Sequence, residues 1–321
     1  AERFDCQPEQ VVLTSSCTHG LNIAIRSLVK PGDRVVISCM EHNGVVRPLY
    51  ALGAQVQVAG KHLFDPEQLL EDLDALLTPD TKACIMTHVS NVFGWQLPVE
   101  RAAALCRGRG IPFVLDAAQS AGCLRISMKK LGAAFLAMPG HKGLLGPQGT
   151  GLLLCNHETE PLLAGGTGSL SRQREMPEFL PDRLEAGTHN MPGAAGLLAG
   201  LRAVRQLGEE EILRREQQWM EYTAQRLEKL PGLRLFTGPM QTGVLSFVTE
   251  DRDCVLFGEQ LSERWDIALR SGLHCAPLAH ETAGTLETGT IRVSFGPMNR
   301  RKDADALVNA VEFMLREGEV T

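Results

Sequence analysis

The sequence predicts an α/β protein: a mainly parallel sheet covered on both faces by helices, followed by a smaller α+β C-terminal domain. Two observations carry this. Up to about residue 155, short apolar runs alternate with amphipathic segments, the pattern of strand–helix units that build a parallel sheet. Beyond Met191 the texture changes to two long helical patterns and then strand-like runs mixed with helices. The domain division is therefore expected at 1–190 and 191–321.

In the first domain the expected strands are 11–14, 34–38, 54–59, 83–87, 113–115, 135–138 and 152–155, with helical stripes at 21–28, 66–77 and 98–109 between several of them. In the second, 192–207 and 209–230 read as long helices, the latter with Ile212, Trp219, Thr223, Leu227 and Leu230 along one side. Strand-like runs follow at 243–249, 267–270 and 291–295, with helices at 254–264 and 303–316. No internal repeat or low-complexity tract interrupts the pattern.

A chain of 321 residues, 44% hydrophobic and 22% charged, can bury one large core or two moderate ones. The net charge is −6 and no Lys/Arg run is long enough to track a phosphate backbone, which argues against nucleic acid as the main partner. No apolar run approaches the roughly 20 residues needed to span a bilayer and no secretory signal opens the chain, so no membrane is expected. Nine cysteines, odd in number, scattered and without a C-x-x-C pair, suggest neither a disulfide framework nor zinc, and point to a reducing, cytoplasmic compartment. Eight of them read as small buried hydrophobes. The ninth, Cys275, lies in the loop-like stretch SGLHCAPLAH. The first residue is Ala1 rather than Met, as expected of a piece of a longer protein.

In parallel sheets ligands gather beyond the carboxyl ends of the strands, and three strand ends here carry polar clusters. His88-Val89-Ser90-Asn91 follows one, Asp116-Ala117-Ala118-Gln119-Ser120 another, and Pro139-Gly140-His141-Lys142-Gly143 the third. Asp116 reads equally well as a ligand contact or as an N-cap. Lys142, between a strand and glycines, suits a desolvated amine with a lowered pKa and imine chemistry. A carboxylate and such a lysine at one sheet edge are what pyridoxal phosphate needs: the acid keeps the ring nitrogen protonated and the amine takes the aldehyde. The stretch 15–20, SSCTHG, ends a strand and opens a helix, so its N–H groups and the Thr18 hydroxyl could bind the phosphate. The glycine-rich stretch 165–169 is not a P-loop, since no Gly-Lys-Ser/Thr follows.

Eight segments in this order, TSSCTHGLN, SCMEHNGVV, THVSNVFG, LDAAQSAG, MPGHKGLLGPQGTGLL, RLEAGTHN, SGLHCAPLAH and IRVSFG, resemble the class V aminotransferase superfamily of fold-type I pyridoxal-phosphate enzymes, and within it the SufS-like cysteine desulfurases. The resemblance implies a homodimeric enzyme that converts L-cysteine to L-alanine and passes the sulfur, through a persulfide, to an acceptor protein in iron–sulfur cluster assembly. It implies that Lys142 holds the cofactor covalently and moves the Cα proton. Asp116 would pair with the pyridinium, and Gln119 and Asn91 would lie near the phenolic oxygen. His42 would stack on the ring, with His88 beside it. Thr18 and His141 would hold the phosphate, helped by Gly166 and Thr167 from a partner subunit. Arg292 would clamp the substrate carboxylate, with Arg270 nearby, and Cys275 would be the nucleophile. His274 either favours the thiolate or is structural.

Three departures from the family pattern stand out: Pro139 where a phosphate-binding Ser or Thr is usual, His19 in place of a Glu, and no N-terminal arm. Selenocysteine lyase, another class V transaminase or lyase, and a non-catalytic sulfur-carrier-binding scaffold are the alternatives. Lys142, Asp116, Arg292 and Cys275 together speak against the last.

Overall fold

The computed structural model describes residues 1–317. The chain forms two compact units, one made of Ala1–Lys61, Asp65–His88 and Leu97–Glu209, the other of His62–Phe64, Val89–Gln96 and the residues from Glu210 onward.

The first unit holds a seven-stranded sheet of β1 (Val11–Thr14), β2 (Arg34–Ser38), β3 (Gln55–Ala59), β4 (Thr81–Thr87), β5 (Phe113–Asp116), β6 (Phe135–Pro139) and β7 (Gly151–Cys155). Its order is β1-β7-β6-β5-β4-β2-β3. β2 to β6 are mutually parallel, while β7 runs antiparallel to both β6 and β1. Buried on both faces, β5, β6 and β7 are apolar throughout except where Asp116 ends β5. Helices α1 (Cys17–Leu28), α2 (Asn43–Ala51), α3 (Pro66–Leu76), α4 (Val99–Gly108), α5 (Met128–Leu131) and α6 (Met191–Leu207) complete the unit. α1 packs on β6 and β7, and a Cβ at Gly20 would already touch Leu153 at 3.4 Å and Ala137 at 3.5 Å. That glycine sets how closely α1 approaches the sheet.

In the second unit α7 (Glu209–Leu227) leads into an antiparallel sheet of β8 (Leu233–Phe236), β9 (Val244–Thr249), β10 (Arg270–Gly272) and β11 (Thr290–Ser294), in the order β10-β11-β9-β8. α8 (Cys254–Trp265), α9 (Pro277–Ala283) and α10 (Arg301–Glu317) accompany it. Among the described residues no helix is long and apolar enough to cross a membrane.

Several elements differ from their sequence expectation. α2 is unforeseen because it carries Pro48 inside the helix, where it removes the N–H that would donate to Gly44 O. The strand expected at 267–270 begins only at Arg270. Asp266 adopts the left-handed conformation at φ 52° and Ile267 N–H donates to Leu261 O, so Ile267 belongs to the end of α8. The stretch around Cys275 is not one loop: β10 ends at Gly272 and α9 starts at Pro277, leaving a four-residue turn.

Candidate active site

The first unit assembles three strand ends. β4 and β5 are in register with Thr87 opposite Asp116, and His88 N–H donates to Asp116 O at 2.9 Å. Asp116 is buried. It does not cap a helix; its Oδ1 accepts from Ala118 N–H at 2.9 Å, closing a local turn. The same Oδ1 accepts from the thiol of Cys17 at 3.4 Å. These two hydrogen bonds end on one oxygen, Oδ1.

Lys142 lies in the turn after β6. That turn is held by Gly140 N–H to Thr150 O at 2.8 Å, Gly146 N–H to Gly140 O at 2.7 Å and Leu145 N–H to Lys142 O at 2.9 Å. It packs on the turn after β5 so closely that a Cβ at Gly122 would sit 2.0 Å from Gly143 O. Glycine is required there, both for that approach and for its φ of 111°. The Lys142 side chain is exposed, which corrects the expectation of a desolvated ammonium: the glycines serve backbone packing and do not bury the amine. Its charge reaches Cys17, whose thiol is pushed well up by burial and by Asp116 and drawn back by Lys142. Asp116, Cys17 and Lys142 therefore form one cluster.

At the start of α1, the Ser16 side chain accepts from His19 N–H at 3.2 Å, a cap worth about 1 kcal/mol. Thr18 is exposed in this first turn, where free N–H groups favour an anion. His42 caps α2, its Nδ1 accepting from Gly44 N–H at 2.9 Å. His141 is exposed and its pKa is lowered by partial burial and by Lys142. Gln119 is half-buried beside Asp116 in the chain. Gly166 is exposed, while the Thr167 hydroxyl lies 3.1 Å from Ser169 Oγ. Pro139 ends β6 and is buried. His19 is half-buried, its Nδ1 3.3 Å from Ser15 N–H, with a pKa lowered by burial and by His189. A cavity of about 280 Å³ is lined by Ser15, His19, Thr188 and His189, but by neither Asp116 nor Lys142.

Among the described residues, His88 and Ser120 bury polar atoms without protein partners, in a way that fits a cofactor. His88 has neither ring nitrogen hydrogen-bonded, and burial pushes its pKa down to about 4, so it is neutral. Ser120 Oγ is likewise buried and unpartnered. Orphaned polar groups at a strand end are costly unless a ligand or water serves them. With an acceptor oxygen on Asp116, an amine on Lys142 and a helix start at Thr18, the donor set matches an aldehyde-bearing, basic-ring, phosphorylated cofactor.

The second unit carries the thiol. Arg270 and Arg292 are direct partners across β10 and β11. Arg270 Nη2 lies 3.7 Å from Cys275 Sγ. Arg292 Nη1 donates to Asn91 O at 2.9 Å, while its buried Nε has no partner among the described residues. Burial and Arg270 lower the Arg292 pKa, and Cys275 acts in the opposite sense. Cys275 is exposed and unpaired. Both His274 and Cys275 sit in the left-handed region, at φ 50° and 60°, which costs about 1–2 kcal/mol per residue. Side-chain bonds brace this turn alongside Ala276 N–H to Leu273 O at 3.0 Å. Asn91 Nδ2 donates to His274 O at 2.8 Å, and His274 Nε2 lies 3.1 Å from Thr290 O. Nε2 is also 3.1 Å from Thr290 Oγ1; with its proton there it donates to the carbonyl. Burial, helped by Arg292 and His280, lowers the His274 pKa to about 3. His274 is thus a neutral support for the turn and not an imidazolium beside the thiol.

Cys17 is buried, as expected, and in addition donates to Asp116 Oδ1, a contact the sequence does not show. Sequence reasoning passed over Glu41, which is fully buried and accepts from Ser38 Oγ at 2.5 Å and Thr87 N–H at 2.7 Å. Its position just before His42 was the available signal.

The architecture is that of the fold-type I pyridoxal-phosphate transferases. Residues 1–307 match the model of the aminotransferase class-V family, and the chain belongs to that family. It is 34% identical over 329 residues to a probable cysteine desulfurase of Xylella fastidiosa, covering 97% of this chain and 77% of that protein. It is 33% identical to a probable cysteine desulfurase of Mycolicibacterium paratuberculosis, of which it spans only 47%. Among solved structures, the apo cysteine desulfurase of Thermococcus onnurineus superposes with a TM-score of 0.89 at 31% identity, covering 99% of this chain and 82% of that one.

Proposed function

We propose that this chain is the catalytic part of a pyridoxal-phosphate-dependent cysteine desulfurase, which converts L-cysteine to L-alanine and carries the released sulfur on Cys275. When bound, pyridoxal phosphate supplies an aldehyde that takes the amino group of the substrate and a ring that accepts electrons from its Cα. Lys142 provides the amine for that aldehyde and then moves the proton at the substrate Cα. Asp116 would keep the proton on the ring nitrogen. His42 and His88 would lie against the ring, Gln119 and Asn91 would serve its phenolic oxygen, and Thr18 and His141, with Gly166 and Thr167 of a second copy, would take the phosphate. Arg292, with Arg270, holds the substrate carboxylate. The Cys275 thiolate attacks the substrate sulfur: an S–S bond forms, the Cβ–S bond breaks, and Cβ takes a proton as alanine leaves.

The observation that carries this reading is the pairing of Arg270 and Arg292 across two strands with Cys275 Sγ 3.7 Å from Arg270. The four-residue turn around Cys275 supports the SufS-like branch. Its exposure suits delivery to an acceptor protein, including one of iron–sulfur cluster assembly. Exposed Leu162, Leu163, Leu170 and Phe179 support a homodimer. Free cysteines support a cytoplasmic setting.

The test is Cys275→Ala in the cofactor-loaded protein. It should stay yellow while alanine formation from L-cysteine falls by about 10²-fold or more, the scale of a lost nucleophile. Alanine formation at the parent rate would sink the persulfide route. Parallel assays with selenocysteine and cysteine sulfinate decide between desulfurase and selenocysteine lyase.

A further inference from the structure

We infer that Cys17 is a positioning residue for the cofactor's ring nitrogen, acting through Asp116. The inference rests on the functional reading above and deepens it. Cys17 opens α1 and is buried, as is Asp116, which lies 99 residues further on in the chain. An ionised carboxylate only accepts hydrogen bonds, so at 3.4 Å the thiol donates to Asp116 Oδ1. Ala118 N–H donates to the same oxygen. Two donors on Oδ1 fix the rotation of the carboxylate, so that Oδ2 would be the oxygen offered to the pyridinium. A thiol suits this task because it donates weakly: it orients the carboxylate without competing with a charged N–H for it. Burial and Asp116 keep Cys17 protonated, so it stays a donor and is no rival nucleophile to the exposed Cys275.

The arrangement also separates the two cysteines chemically. Cys275 is exposed beside Arg270, whereas Cys17 is buried one residue before Thr18. Held as a thiol by a neighbouring carboxylate, it is inert.

The test compares Cys17→Ala and Cys17→Ser with the parent, each loaded with pyridoxal phosphate labelled with ¹⁵N in the ring. The ring ¹⁵N chemical shift reports the nitrogen's protonation, and equilibrium dialysis reports cofactor affinity. Cys17→Ala is expected to move the ring shift toward the unprotonated value at a lower pH than the parent and to weaken cofactor binding about 3- to 10-fold, as loss of a modest hydrogen bond implies. Cys17→Ser, which keeps a donor, should restore the parent shift and affinity. Parent-like behaviour of the alanine variant, or equal loss in both variants, overturns the proposal, because the residue would then only fill space. A parent protein that binds no cofactor through Lys142 overturns the functional reading instead, and this proposal falls with it.

Discussion

Arg270 and Arg292 face each other directly across β10 and β11, with the Cys275 thiol 3.7 Å from Arg270. Like charges opposite one another on antiparallel strands are destabilising by roughly 0.2–1 kcal/mol. A fold keeps such a pair where an anion needs it. Arg270→Gln should therefore raise the thermal midpoint slightly, by about 1–2 °C, while raising KM for L-cysteine. A lower midpoint together with unchanged KM would show that the pair is structural.

Lys142 makes a second prediction. The parent, incubated with pyridoxal phosphate and reduced with borohydride, should gain the cofactor's mass on the peptide containing Lys142. Lys142→Ala should gain none there. Labelling of a different lysine in the parent would relocate the site.

Three buried histidines predict acid sensitivity. Burial lowers the pKa of His88 and His280 from 6.5 to about 4, and that of His274 to about 3. Unfolded histidines bind protons at higher pH than these do, so their contribution is complete above pH 6.5 and is lost as pH falls through 6.5 toward 4. The urea midpoint should drop steadily over that window. A flat profile would mean that the rings are charged or hydrated in the fold.

Glu41 has the opposite sign. Burial, reinforced by Asp116 and opposed by hydrogen bonds from Ser38 and Thr87, raises its pKa from 4.5 to about 8. Here the folded state holds the extra proton, so stability falls as pH rises from 4.5 to 8. Glu41→Gln, neutral throughout, should flatten the decline of the urea midpoint between about pH 6.5 and 8.5. An unaltered slope would place the titration elsewhere.

Much of this was legible in the chain. β1 and β2 have the bounds expected, and β5 and β6 each run one residue further, because the alternation of apolar strands with amphipathic helices is a local signal. α2 escaped because Pro48 interrupts its apolar face, and α5 because it is a single turn. The candidate residues at strand ends were also readable, since a polar group that closes an apolar run stands out: Asp116 after FVL and Lys142 after MPGH.

By itself the sequence determined the strand–helix order, the families of residues at the sheet's carboxyl edge and the eight motifs that mark the family. Only the tertiary structure decided what those residues touch. Cys17 and Asp116 are 99 positions apart, Asn91 and His274 183, and Asn91 and Arg292 201. Periodicity reports which face of an element is buried, and carries no information on partners at such separations. That is why Cys17 reads as filler in the sequence and as a donor to Asp116 in the fold. Likewise His274 reads as a possible charge beside Cys275, and burial makes it a neutral brace.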